Sequence, residues 1–175
     1  GGVLWARRGI GLRPAIHGTQ ELGRRGGTEN VPGIVGAGVG MALSGLLPIV
    51  EIQFSDITCQ AMDQIVNQAA KIHFMLGGAA HVPLVLRAPG GSGTVAAGQH
   101  SQSLEAWLAH VPGLKVAMPA TPADAKGLLK AAIRDPNPII FLENEILYGQ
   151  SFPVPKLGDF VLPIGKAKIV RPGEH

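Results

Sequence analysis

Short apolar runs alternate along this chain with longer amphipathic stretches, and the apolar runs predict four β-strands. The clearest run spans residues 82–88, is rich in Val and Leu, and is followed by Pro89 and Gly90. A run of this length suits a strand inside a parallel sheet, where both faces are covered. Three further runs predict the other strands, over residues 46–54, 114–118 and 138–142.

The amphipathic stretches predict helices between these strands. The clearest has Thr121 as its N-cap, Pro122 at its first position and Asp124 in its first turn, all of which favour a helix start. It ends before Pro136, since proline cannot continue a helix. The predicted helices span residues 33–45, 57–76, 103–110 and 121–134.

The predicted helix over 57–76 is unusually apolar. Thr58 is the expected N-cap, and the glycines at 77 and 78 are the expected stop. A helix this apolar is covered on most of its sides. Either it is a core helix, or it also meets a partner subunit. Its apolar row consists of Ile57, Ala61, Ile65, Ala69 and Ile72.

Strands and helices therefore follow one another in repeated βα order. This order predicts an α/β fold with three layers, in which helices cover both faces of a mainly parallel sheet. In such sheets, ligands bind beyond the carboxyl ends of the strands.

A glycine-rich loop follows the predicted strand at 82–88, at the place where an α/β sheet binds ligands. It leads to the polar run Gln99, His100, Ser101 and Gln102. Histidine can transfer protons near neutral pH, so His100 is a candidate catalytic residue. The alternative is a solvated surface histidine in an ordinary turn.

Composition narrows the classes of function. The single cysteine, Cys59, allows no internal disulfide, and no apolar run reaches the ~20 residues that span a bilayer. We therefore expect a soluble intracellular protein. The net charge of +3 arises in residues 1–30, which hold five arginines and two acids. A basic arm of this kind could bind nucleic acid, but the remainder of the chain has no basic face, so we expect no nucleic-acid partner.

The small-residue segment 33–45 raises a second alternative, a dinucleotide-binding dehydrogenase. The fingerprint GxGxxG fails, because a match that starts at Gly36 has Met41 at its sixth position, and one that starts at Gly38 has Leu43. The segment instead favours a helix whose small residues allow another backbone to come close.

About 70% of the chain, from residue 49 to residue 173, resembles the beta subunits of the first component of pyruvate dehydrogenase. These belong to the thiamine-diphosphate-dependent two-oxoacid dehydrogenases. The matching runs are VEIQFSD (50–56), AMDQIVNQAAK (61–71), PLVLRAP (83–89), AAGQHSQ (96–102), PGLKV (112–116), DAKGLLKAAIRDPNP (124–138), FLENEILYG (141–149) and LPIGKAKI (162–169).

The resemblance implies roles for several side chains. His100 matches an active-site histidine that faces the thiazolium side of the cofactor. A glutamate of the family, which hydrogen-bonds the pyrimidine ring, falls at Val31, and Glu29 is the nearby carboxylate that could replace it. Gln53 and Ile57 are expected to contribute to the cofactor site, and Ile57 stands where relatives often have an aromatic residue.

A potassium site is also implied, bound through main-chain oxygens. A helix C-terminus carries unpaired carbonyls and partial negative charge, so a cation there is physically reasonable, although water could equally satisfy those carbonyls. The implied positions are Leu84, Ala132, Ile133, Asp135 and Asn137.

The resemblance further implies the activity: oxidative decarboxylation of pyruvate with acetyl transfer to lipoyl groups. The close variant is a branched-chain two-oxoacid dehydrogenase. Thiamine diphosphate would be shared with an alpha subunit, which would hold the magnesium ion. A second beta subunit and a lipoyl-bearing acetyltransferase are the other expected partners. The expected location is the bacterial cytoplasm or the mitochondrial matrix, without membrane attachment.

The expected organisation has three parts. Residues 1–32 form a divergent or poorly ordered N-terminal segment, 33–150 the pyrimidine-binding domain, and 151–175 a linker to a C-terminal domain that this sequence lacks. A truncated, non-catalytic fragment is the third alternative, because of Val31 and the missing domain.

Overall fold

The structure, a computed structural model, has at its centre a four-stranded parallel sheet with the strand order β1-β2-β4-β3. It describes residues 29–156, 158–167, 169 and 171–173, so most of the predicted N-terminal segment lies outside the described residues. The strands are β1 (Ile49–Glu51), β2 (Val85–Gly90), β3 (Lys115–Ala117) and β4 (Ile139–Asn144).

Helices cover both faces of this sheet, which confirms the predicted three-layer α/β fold. The α-helices are α1 (Val31–Leu43), α2 (Ile72–Met75), α3 (Glu105–Ala109) and α4 (Pro122–Arg134). Three 3₁₀ segments span Ser55–Ala61, Ser92–Thr94 and Glu145–Gly149, and a π-helical segment spans Asp63–Ala69.

The sheet separates two apolar cores because successive strand residues point to opposite faces. Leu86 and Ile140 belong to the larger core, which they share with α1, α3 and the helical segment 55–75. Val85, Ile139 and Phe141 belong to the smaller core, which α4 covers. These buried runs explain why β2 and β4 were recognisable as interior strands.

Helix α4 begins as its sequence predicts. The Thr121 hydroxyl accepts a hydrogen bond from the Asp124 backbone N–H at 3.1 Å, and the Asp124 carboxylate accepts one from the Thr121 N–H at 3.0 Å. This reciprocal capping box fixes the helix start through local interactions alone. Pro122 occupies the first helical position, where its missing N–H costs nothing.

The prediction of a single α-helix over 57–76 is wrong in its detail. The chain is helical there, but it forms a 3₁₀ segment, then a π-helical segment, then the four-residue α2. Thr58 is not the N-cap, because its hydroxyl donates to the Ser55 carbonyl at 2.6 Å within the first turn. The buried residues Ala61, Ile65 and Ala69 recur every four positions. A helix with more than 3.6 residues per turn keeps such residues on one face.

Other predicted boundaries shift by a few residues. Helix α1 begins at Val31 rather than Gly33, because the Asn30 side chain caps it by accepting from the Gly33 N–H at 3.1 Å. Strand β1 is shorter than predicted, since Leu46 and Leu47 lie outside the sheet and are more than half exposed.

The segment beyond residue 150 lies along α4. Lys126 donates to the Pro155 carbonyl at 2.6 Å, and the Leu162 N–H donates to the Gly127 carbonyl at 3.2 Å. Gly127 allows this approach, since a Cβ there would lie 2.6 Å from the Leu162 side chain. Within the ranges that the structure describes, no helix is both long and apolar enough to cross a membrane.

Candidate functional site

The carboxyl ends of all four strands meet at one edge of the sheet, because every neighbouring pair is parallel. We call this side the carboxyl edge and the opposite side the amino edge. Ligands in open α/β sheets bind beyond the carboxyl ends of strands. The candidate residues from the sequence divide between these two edges.

A pocket of about 170 Å³ lies where β1 ends, next to the start of α1. It brings together the three predicted cofactor-binding residues, although they come from separate parts of the sequence. The residues that line it are Glu29, Val31, Ile34, Glu51, Ile52, Gln53 and Ile57.

The lining of this pocket combines apolar walls with a few hydrogen-bonding groups. Ile34, Ile52 and Ile57 supply apolar surface, whereas Glu29, Glu51 and Gln53 supply carboxylate and amide groups. Such a lining suits a flat heteroaromatic ring that carries donors and acceptors. Among the described residues that line the pocket none is basic, so this wall offers no charge partner for a phosphate.

Glu29 and Val31 both reach the pocket, on either side of the helix cap Asn30. Val31 is buried and has no polar atom to offer a ring nitrogen, whereas Glu29 is exposed. A carboxylate just before α1 therefore lines the pocket, even though Val31 stands at the position where the resemblance implies a glutamate.

Glu51 is a second carboxylate on the pocket wall, and it was not predicted from the sequence. Its Oε2 accepts from Arg87 Nη1 at 3.2 Å, and its side chain is 68% exposed. Glu51 is the last residue of β1, and Gln53 lies two residues beyond it, outside the strand. The position of Glu51 at the carboxyl end of a parallel strand was the signal that could have identified it.

His100 also lies at the carboxyl edge, although it does not line the pocket. Its half-buried ring meets the Phe54 ring edge-on, with 4.5 Å between the two ring centroids. Phe54 directly follows the pocket residue Gln53 in the chain. The imidazole is thus held by a ring contact of a kind that stabilises by about 1 kcal/mol.

A larger cavity of about 380 Å³ opens between α4 and β4, on the face of the sheet that α4 covers. Arg87, Glu143 and Tyr148 are among the residues that line it. Arg87 bonds both oxygens of the buried Glu143 carboxylate, at 2.5 and 2.9 Å, and the Tyr148 hydroxyl also donates to Glu143. The Glu143 hydrogen bond raises the pKa of Arg87. Burial, together with the bond to Glu143, raises the pKa of Tyr148. This network was not predicted from the sequence.

The residues of the predicted potassium site gather at the amino edge. The Leu84 carbonyl accepts from the Ile139 N–H at 2.8 Å, and the Ala132 carbonyl accepts from the Asp135 N–H at 3.2 Å. Each of these carbonyl oxygens has a second lone pair. Ile133 lies in the last turn of α4 and Asn137 in the turn that joins α4 to β4, so the chain segments of all five positions lie near one another.

The Asp135 carboxylate at this turn already has charged and polar partners. It accepts from Lys115 Nζ at 2.6 Å and from the backbone and side-chain N–H groups of Asn137 at 3.0 and 2.8 Å. Burial opposes ionisation of this group, but the Lys115 and Asn137 donors outweigh burial and lower the pKa of Asp135. Across the described part of the chain, no three His, Cys, Asp or Glu side chains converge as metal ligands.

Comparison with known proteins agrees with this geometry. Residues 32–150 match the family described as transketolase, pyrimidine binding domain. The structure resembles a solved chain described as split gene transketolase, inactive beta4 tetramer, with a TM-score of 0.53. That chain is 17% identical, and the match covers 65% of this chain and 34% of that one, so it supports the fold alone.

Curated relatives are much closer in sequence. Pyruvate dehydrogenase E1 component subunit beta of Rhizobium meliloti (strain 1021) is 63% identical over 142 residues, which are 81% of this chain and 31% of that protein. The mitochondrial subunit of the same name from Caenorhabditis elegans is 57% identical over 82% of this chain and 42% of its own length. The resemblance stated from the sequence is thereby confirmed, and this chain spans 31% to 42% of these relatives' length. With a family match over two thirds of its residues, the chain belongs to the transketolase pyrimidine-binding domain family.

Proposed function

We propose that this chain is the pyrimidine-binding part of a thiamine-diphosphate-dependent enzyme that oxidatively decarboxylates pyruvate and transfers the acetyl group to a lipoyl carrier. The observation that carries the proposal is the pocket at the end of β1, which unites Glu29, Gln53 and Ile57. The curated relatives named as pyruvate dehydrogenase subunits support the choice of pyruvate.

The pocket fits the pyrimidine end of thiamine diphosphate but not its diphosphate end. Apolar walls and carboxylate and amide groups suit an aminopyrimidine ring, and the described lining has no cation for phosphate. A partner subunit would therefore bind the diphosphate and its magnesium ion. When bound, the cofactor supplies the carbanion chemistry at its thiazolium ring, and the protein orients it and tunes its charge.

The residues of this chain have distinct roles in the proposed site. Glu29 would hydrogen-bond the pyrimidine ring, Gln53 would supply a further polar contact, and Ile57 would provide apolar packing for the ring. His100 would face the thiazolium side, where it would assist acetyl transfer to the lipoyl group or stabilise a reacting carboxylate. The edge-on contact with Phe54 holds its imidazole in place.

We also propose partners, a cellular location, a potassium site and domain bounds. The partners are an alpha subunit, a second beta subunit and a lipoyl-bearing acetyltransferase, in the bacterial cytoplasm or the mitochondrial matrix. The turn at 132–137 together with Leu84 binds potassium through main-chain oxygens. The domain spans residues 33–150, preceded by a divergent segment and followed by a linker to a further domain.

The test uses the full-length protein that contains this chain, co-expressed with its alpha subunit. Thiamine-diphosphate-dependent turnover is measured with pyruvate and with branched-chain two-oxo acids. We expect preference for pyruvate, a loss of about 100-fold or more in His100→Ala, and a clear loss in Glu29→Gln.

Glu51→Gln is the matched control for Glu29→Gln, because it makes the same carboxylate-to-amide change at a second residue of the pocket lining. Loss of activity in Glu51→Gln with full activity in Glu29→Gln would contradict the role of Glu29. Assembly with the alpha subunit but no turnover of either substrate class would contradict the enzymatic proposal and favour a non-catalytic module.

A further inference from the structure

The loop that carries His100, residues 91–102, has an unfavourable backbone. Val95 and Ala97 have φ angles of +52° and +63°, although neither is glycine. The left-handed region is costly for alanine and more so for a β-branched residue such as valine. A loop with this strain keeps its shape only if surrounding contacts hold it.

Hydrogen bonds within the loop supply part of that support. The Gly91 N–H donates to the Gln102 carbonyl at 3.1 Å and so closes the base of the loop. The Ala96 N–H donates to the Ser101 hydroxyl at 3.0 Å. The His100 N–H donates to the Ala97 carbonyl at 3.3 Å. These bonds fix the loop's internal shape but not its position on the sheet.

Asp56 connects the base of the loop to another element. Its Oδ1 accepts from the Gln102 N–H at 3.2 Å, which joins the 3₁₀ segment after β1 to the residue two positions beyond His100. Gly90 at the end of β2 allows this close approach. A Cβ on Gly90 would lie 2.4 Å from Ser55 Oγ and 3.3 Å from the Gln102 carbonyl oxygen.

Burial of the Asp56 carboxylate at this position is energetically unfavourable. The residue is only 7% exposed, and its Oδ2 has no hydrogen-bond partner among the described residues. A buried carboxylate that is only partly satisfied carries a large desolvation penalty. Stability alone does not explain why a carboxylate is present here, because an apolar side chain would avoid the desolvation penalty.

We propose that Asp56 is a positioning residue for His100. By fixing the Gln102 N–H at the end of β1, Asp56 sets where the imidazole sits relative to Phe54 and the neighbouring pocket. This inference rests on the proposed function, because it gives Asp56 an effect on catalysis only through His100. Asp56 itself does not line the pocket.

The test is a double-mutant cycle in the full-length complex with the alpha subunit. Asp56→Ala is expected to lower turnover by up to about 100-fold, the effect of displacing a catalytic group by about 1 Å. Asp56→Asn keeps the oxygen that accepts from Gln102 and is expected to retain most of the activity. In a His100→Ala background, Asp56→Ala is expected to cause no further loss, because residues that act as one unit are not additive.

Hydrogen–deuterium exchange of peptides from the 91–102 loop provides a readout apart from turnover. Asp56→Ala is expected to speed exchange in this loop, whereas Asp63→Ala, an exposed carboxylate in the same helical segment, should change neither exchange nor activity. Losses that add in the double mutant, or unchanged exchange in Asp56→Ala, would overturn the role of Asp56 alone. Unchanged turnover in His100→Ala would overturn both this inference and the role of His100 in the proposed function.

Discussion

The two edges of the sheet differ in how completely their polar groups are satisfied. At the amino edge, the Asp135 carboxylate accepts three hydrogen bonds from Lys115 and Asn137. Near the carboxyl edge, Ser55 Oγ, Asp56 Oδ2 and Glu145 Oε1 are buried without a partner among the described residues. All three belong to segments that follow strands β1 and β4.

The edges differ in backbone strain as well. The two non-glycine residues with positive φ in the described structure, Val95 and Ala97, lie in the loop that follows β2 at the carboxyl edge. The amino-edge turn between α4 and β4 has no such residue among those described. Strain and unsatisfied groups concentrate at functional sites, where stability is given up for a particular geometry. The comparison therefore agrees with the cofactor site that we propose at the carboxyl edge.

The largest predicted effect tests how tightly the amino edge is packed. A Cβ at Gly113 would lie 2.0 Å from the Ala70 carbonyl oxygen, and Gly113 has a φ of +100°. Gly113→Ala should therefore lower the free energy of unfolding by about 3 kcal/mol or more, measured by chemical denaturation. Gly98→Ala is the control, since nothing lies within 4 Å of its added Cβ. Equal stability of the two variants would contradict the tight packing at Gly113.

A second prediction concerns the ion pair between Arg87 and Glu143, near the carboxyl edge. Arg87→Ala leaves the Glu143 carboxylate, whose side chain is 10% exposed, without its cation. We expect a loss of about 2 kcal/mol in the free energy of unfolding, because an unpaired buried charge is costly. Arg134→Ala breaks an ion pair with Asp159 whose side chains are 54% and 80% exposed, and should cost less than about 1 kcal/mol. Similar losses in both variants would contradict the expectation that burial of Glu143 makes the loss of its cation more costly.

The third prediction uses the lowered pKa of Asp135. Because this pKa is depressed in the folded state, the stabilisation is present above the unfolded pKa of about 4 and is lost as the pH falls through the folded pKa. Asp135→Asn should cost about 1 kcal/mol at pH 7, and the difference from wild type should shrink on acidification. The measurement is thermal unfolding across this pH range. A difference that does not change with pH would contradict the assigned cause.

The smallest predicted effect tests the strain in the His100 loop. Ala97→Gly removes the cost of a φ of +63° and should leave stability unchanged or raise it by up to about 1 kcal/mol. Ala131→Gly, inside α4, should lower stability by about 1 kcal/mol. Chemical denaturation compares the two, and equal losses would argue against strain at Ala97.

Local signals in the sequence predicted much of the fold. The capping box at Thr121 and Asp124 depends on residues three positions apart, so α4 could be located from the sequence to within one residue. The apolar runs of β2 and β4 likewise identified buried interior strands. The π-helical segment was missed because its winding depends on packing against α1, which periodicity alone does not describe.

The candidate site was predictable in part. The resemblance supplied Glu29, Gln53 and Ile57, and the fold places all three on one pocket. The pairing of Arg87 with Glu143 joins residues 56 positions apart, and it depends on the register of β2 against β4. The Asp56–Gln102 bond depends equally on tertiary contacts, so no local sequence pattern could have indicated it.

The most direct test of the functional carboxyl edge is thiamine diphosphate binding by the full-length complex, measured by calorimetry. Ile57→Ala should weaken binding by about tenfold, which corresponds to about 1.4 kcal/mol of lost packing. Ile133→Ala, at the amino edge, should leave the affinity unchanged. Unchanged affinity in Ile57→Ala, or an equal loss in both variants, would contradict the placement of the cofactor at the end of β1.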